Sequence, residues 1–154
     1  MRKWPIVPAF ILVLAAIAGA RPNRRDAGVT EMSAALLIGR LGQPGSSAQR
    51  TALARQVSDI TASNPEVALG CEDISRLTSF LDDRVGSVQM WTAIALGNLG
   101  AKATSAVPAL ERALARQEAL DRKFPVSLSQ AAAFEAALWR IGLASKMSAD
   151  GGTR

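Results

Sequence analysis

Histidine and tyrosine are absent from this chain of 154 residues, and cysteine occurs once. Without histidine there is no imidazole for general acid–base catalysis, no Ser-His-Asp or Cys-His pair, and none of the common zinc sites. A Ser–Lys dyad would need a close pair, and the only one, Ser145-Lys146, lies in a polar tail with nothing apolar around it to lower the lysine pKa. Cys71 cannot close an internal disulfide by itself; it reads as a small buried residue at a helix start, with an intermolecular bridge as the alternative. Alternating strand patterns are missing too, and with them any strand–turn–helix unit that would cradle a phosphate. These absences predict an all-α protein with no catalytic residues, no metal ligands and no cofactor.

What is present begins with a three-part N-terminus. Arg2 and Lys3 precede an unbroken apolar run from Ala9 to Ile17, and Ala18-Gly19-Ala20 supplies small residues before the polar Arg21-Pro22-Asn23-Arg24-Arg25. That is the layout of a secretory signal peptide. Residues 1–20 are therefore expected to be removed after Ala20, leaving a periplasmic or extracellular chain. The alternative is an anchor over 4–20, although the apolar run is short for a span of about 20 residues. Loss of Arg2 and Lys3 lowers the formal net charge from +5 to +3, so the basic isoelectric point overstates the case for nucleic acid. Fourteen of the 18 cations are arginine, scattered along the chain. Residues 21–28 read as a flexible leader.

Three segments then repeat one pattern: Thr30–Gly42 (TEMSAALLIGRLG), Val88–Gly100 (VQMWTAIALGNLG) and Gln130–Gly142 (QAAAFEAALWRIG). Each has an Ala-rich run, an apolar pair and a glycine-marked end, except that Trp139 replaces the first glycine of the third copy. Repetition at a period of tens of residues marks a helical repeat array. Val88, Trp91, Ala95, Leu96 and Leu99 fall on one helical face. Asp83 or Ser87 can cap that helix, and Gly100 can end it in a positive-φ conformation. Gly97 lies inside the helix, where glycine costs about 1 kcal/mol against alanine. Its recurrence at Gly39 predicts close approach of a neighbouring backbone. Val107, Leu110 and Leu114 mark a second helix with Pro108 in its first turn, and Ile74, Leu77 and Leu81 reproduce that spacing. Ser46 with Gln49 and Ser127 with Gln130 have capping-box spacing. The first pair predicts an extra helix over 47–61, ended by Asn64-Pro65, within an insertion at 43–70. Gln117–Pro125 reads as a charged connection, and 143–154 as a disordered tail.

The stretch Leu81–Gly100, with its Asp82-Asp83 turn, its Val88 and its Ala95-Leu96-Gly97-Asn98-Leu99-Gly100 ending, followed by Ala106-Val107-Pro108-Ala109-Leu110, resembles HEAT repeats of the short bacterial type also found in phycobilisome lyases. The resemblance spans roughly 29–142. It implies a short α-solenoid of antiparallel helix pairs, about five or six helices after the signal helix. Departures are Gln89 where the family has a basic residue, Gln130 and Trp139 in the third copy, and no second helix after Gly142. They suit terminal repeats, and a partner or a second copy, as a homodimer, would cover an open end.

Arg112 and Arg116 stand at i and i+4 on the second helix of the central repeat, opposite Val107, Leu110 and Leu114. The resemblance puts second helices on the concave face, where a partner docks, and Arg76 is a third candidate contributor. Asp82 and Asp83 are adjacent, so they point apart and read as a helix cap rather than a catalytic pair. Trp91, Trp139, Phe80 and Phe134 read as core before they read as a ligand groove. Gly39-Arg-Leu-Gly42 and Gly97-Asn-Leu-Gly100 fit the KH-domain loop as strings but lack its strands. The expected function is an exported, non-enzymatic scaffold binding an unidentified protein through Arg76, Arg112 and Arg116, with no nucleic acid and no membrane contact beyond an uncleaved N-terminus. The alternatives are a phycobilisome-lyase-like or other small-molecule-handling protein and, less in keeping with the charge, a nucleic-acid binder.

Overall fold

The computed structural model describes residues 34–67, 69–124 and 130–150, and among them every regular element is a helix. In chain order these are α1 (34–41), α2 (Ser47–Ser63), α3 (Cys71–Ser79) running into a 3-10 turn (Phe80–Asp82), α4 (Gly86–Leu99), a second 3-10 segment (Gly100–Ala106), α5 (Val107–Lys123) and α6 (Ala131–Asp150). The expected signal segment, the leader and Ser127 lie outside the described residues.

Local chemistry accounts for most of the boundaries. Ser46 caps α2 by accepting from the Gln49 N–H (3.2 Å), while the Gln49 side chain accepts from the Ser46 N–H (3.0 Å). The helix stops at Asn64, ahead of Pro65. Gly70 starts α3, its N–H held by Asp73 Oδ2 at 3.3 Å. Leu99 ends α4, and Gly100 follows with φ 56° and ψ −130°. The positive φ is as expected. The ψ, however, lies outside the left-handed helical basin, in a region open only to glycine. Pro108 occupies the first turn of α5, where its missing N–H leaves no bond unmade.

Helix α4 is the spine, packed along α2 and along α6. Near its start, Ser87 Oγ lies 2.7 Å from Thr51 Oγ1 of α2; near its end, Asn98 Nδ2 donates to Ser58 O (3.2 Å) and Thr61 Oγ1 (3.3 Å). Partners advance together along both helices, so α2 and α4 run in the same direction. The same reasoning applies to α6. A Cβ on Gly86 would collide with the Gln130 side chain just before α6, and Asn98 Oδ1 accepts from Arg140 Nη1 at 2.6 Å.

One core threads all six helices: Ile38, Val57, Leu77, Leu96, Leu110, Phe134 and Ile141 are buried within it. A smaller cluster of Leu41, Ala54 and Val88 closes one side, with Phe80 packed against both. Gly97 has the expected close neighbour, for a Cβ there would sit 2.9 Å from Ala137 Cα. Gly39 has none, with open space where a Cβ would be.

Other details differ from the sequence expectation. The helix beside α4 on its N-terminal side in sequence is α2, from the stretch read as an insertion, while the described part of the first copy forms α1 over 34–41. Gln117–Lys123 continues α5 as helix, supported by Gln117 Nε2 donating to Asp121 Oδ1 at 2.8 Å. Helix α6 passes Gly142 and runs to Asp150 where a tail was expected. Ala144 and Lys146 are good helix formers, and Ser145 Oγ lies 3.1 Å from Thr104 Oγ1. Cys71 is exposed rather than buried, because the first position of α3 points outward.

Candidate functional site

The turn between α3 and α4 organises the surface that carries the arginines. Asp83 has a side chain only 4% exposed, and Arg50 of α2 grips it with both guanidinium nitrogens, Nη1 to Oδ1 at 3.1 Å and Nη2 to Oδ2. Asp83 Oδ1 also accepts from the Val85 N–H (2.9 Å), and its carbonyl accepts from Gln89 Nε2 (2.5 Å). The cap expected from Asp83 or Ser87 is not made, for Val85 stands at the N-cap of α4 with no side-chain bond to the first turn; Asp83 instead ties α2, the turn and the start of α4 together. The aspartates do point apart. Asp82, next to it, faces α5, where Arg116 Nη2 donates to Asp82 Oδ1 (2.6 Å) and to the Leu81 carbonyl (3.2 Å).

That contact decides the roles of the three predicted arginines. Arg116 is partly engaged in fixing α5 to the end of the 3-10 turn. Arg112, one helical turn earlier, is exposed and makes no hydrogen bond or ion pair among the described residues. Arg76 is exposed on α3 and donates to Glu72 Oε1 of the same helix at 2.5 Å. The structure thus keeps Arg112 and Arg116 on one face of α5, whereas no contact joins Arg76 to them.

The exposed end of α5 carries residues that the repeat pattern did not single out. Leu120 is 54% and Phe124 61% exposed, and Lys123 Nζ sits 5.5 Å from the Phe124 ring centroid. Their signal was available: Arg112, Arg116 and Lys123 recur at i, i+4 and i+11, one line along a helix.

The aromatics divide. Phe134 is fully buried and Phe80 half-buried, whereas Trp91 is half-buried under Arg55, whose Cζ lies 5.5 Å from its ring centroid. Trp139 is 67% exposed. A groove of about 340 Å³ between α4 and α6 is lined by Ile94, Gly97, Ala132, Ala136 and Arg140 among others, with Arg140 its sole ionisable group. Among the described residues no group of three or more His, Cys, Asp or Glu is placed to hold a metal ion, and no helix is long and apolar enough to cross a membrane. Comparison of the chain with protein-family models, curated protein sequences and solved structures finds no match.

Proposed function

We propose that this chain is an exported, non-enzymatic scaffold of HEAT-like helical repeats that binds another protein through the exposed side of its second helices. The observation that supports this reading is the parallel course of α2, α4 and α6, three helices that α3 and α5 join in sequence. In this reading the repeats are α2 with α3, α4 with α5, and a closing α6. The seat of Ala137 against Gly97 is the close packing such a stack needs. In stacked arrays, inner helix faces are consumed by neighbours and outer faces remain for partners. Arg112 is unpaired on such a face, and Arg116 beside it is held in place by Asp82.

The test is cross-linking and pull-down from the native envelope fraction, comparing the parent chain with Arg112→Glu,Arg116→Glu. Capture of the partner should fall sharply. The melting temperature should hold nearly steady, because Arg116 and Asp82 are an exposed pair and such pairs contribute at most about 1 kcal/mol. Undiminished capture would remove the assignment. Export is read separately from intact mass: the secreted chain should begin at Arg21, and a mass that includes Met1 would reject cleavage.

A further inference from the structure

We propose that the exposed ridge of α5 receives an acidic amphipathic helix of the protein partner, with carboxylates on Arg112, Arg116 and Lys123 and an apolar side chain on Leu120 and Phe124. This rests on the scaffold reading and narrows it to one partner chemistry.

Charge is segregated around α5. At 3.6 residues per turn, Arg112, Arg116, Ala119 and Lys123 form one line, with Leu120 on its flank, while Glu111 and Glu118 fall about 100° or more away from that line. Leu110, on the far side, is buried, and so is Ala113, two turns before Leu120 on the same flank. Neither Arg112 nor Lys123 has an ion-pair partner among the described residues. Arg116 commits Nη2 to Leu81 and Asp82, and its side chain remains 48% exposed. Such a fork is suited to two-pronged pairing with a carboxylate.

The apolar part is equally specific. A single exposed leucine is ordinary. Here Leu120 and Phe124 are exposed one turn apart at the end of a basic ridge, and Lys123 lies over the Phe124 ring. From Arg112 to Lys123 the ridge is about 16 Å long, or three helical turns. A partner helix with Asp or Glu at matching i, i+4 spacing and one large apolar residue at the end fits that length. A flat anionic membrane fits less well, because it would also press headgroups against Glu111 and Glu118. A narrow helix laid along the ridge avoids both.

The probe is a labelled synthetic helix of glutamate and leucine, with Glu at i and i+4 on one face and Leu beside it. Its binding to the full chain is followed by fluorescence anisotropy. Controls are the same peptide with Gln for Glu, and vesicles of phosphatidylserine and phosphatidylcholine. The acidic peptide should bind the parent chain, less tightly as salt rises. Arg112→Glu,Lys123→Glu should weaken it by about tenfold or more, and Leu120→Ser,Phe124→Ser by about threefold or more. All four side chains are exposed, and circular dichroism confirms that the variants fold. Equal binding to parent and charge-reversed chains, or equal binding of the Gln peptide, overturns the proposal. Vesicle binding without peptide binding replaces it with a membrane contact. If the peptide fails while Arg112→Glu,Arg116→Glu still abolishes capture of the native partner, only the partner chemistry falls. If the peptide binds at the ridge and no native partner is ever captured, the scaffold role falls and the ridge chemistry stands.

Discussion

Two glycines that look equivalent on paper do opposite things. Gly97 lies where α6 comes nearest, and any side chain there would press on Ala137. Gly39 sits in α1 with open space around it and no positive φ, so it keeps only the entropic cost of glycine. Gly97→Ala is therefore expected to destabilise by about 1–3 kcal/mol through overpacking, and Gly39→Ala to stabilise by about 0.5–1 kcal/mol. Urea denaturation of the two variants checks both signs, and the same sign for both would refute the account. The close approach at Gly97 was legible because an interior helical glycine is costly and calls for a reason. Its absence at Gly39 was not, because the reason depends on a neighbour that the local letters do not name. Asp83 gives a second prediction at this scale. Asp83→Ala leaves Arg50 partly buried without its counter-charge, and one-sided loss of a buried pair costs about 3–5 kcal/mol. If the melting temperature of that variant matched the parent, Asp83 would not be the clasp between α2 and α4.

Among the elements, α2, α4 and α5 were largely readable. The Ser46–Gln49 box, the Ala-rich face of α4 and Pro108 each have a local physical cause. The neighbour of α4 was not readable. Thr30–Gly42 matches the letters of α4, with its own Gly-Arg-Leu-Gly ending, yet α2 lies alongside. Its interface toward α4 is partly polar: Ser58 and Thr61 are buried, and both are reached by the Asn98 amide. The helix itself could be read, but hydrogen-bonded contacts to α4 leave no mark in an apolar pattern, so its neighbour could not. Asn98 also accepts from Arg140, so one side chain joins three helices. The ends of α5 and α6 were missed for a related reason. Charged and small residues without apolar periodicity read as connection or tail, although most are good helix formers. At the candidate site, the Arg112–Arg116 pair was visible from spacing. The hold of Asp82 on Arg116 was not, because it links residues 34 apart in sequence.

For the molecule as a whole, the continuity of the core matters most. Ile38 near one end and Ile141 near the other belong to the same buried cluster, through Leu77, Leu96 and Leu110. A chain without such continuity would let its terminal helices melt ahead of the centre, as repeat arrays can. Here the expected thermal unfolding is one transition, with far-ultraviolet circular dichroism and tryptophan fluorescence tracing the same curve. Two separated midpoints would mean that α1 and α2 unfold independently of α6.

Gly97 and Trp139 occupy matching places in consecutive parallel helices, and they leave opposite surfaces behind. The glycine leaves a notch that Ala137 of α6 fills, whereas the indole stands largely in solvent. A further helix laid on α6 as α6 lies on α4 would meet a bulky ring where α6 found empty space.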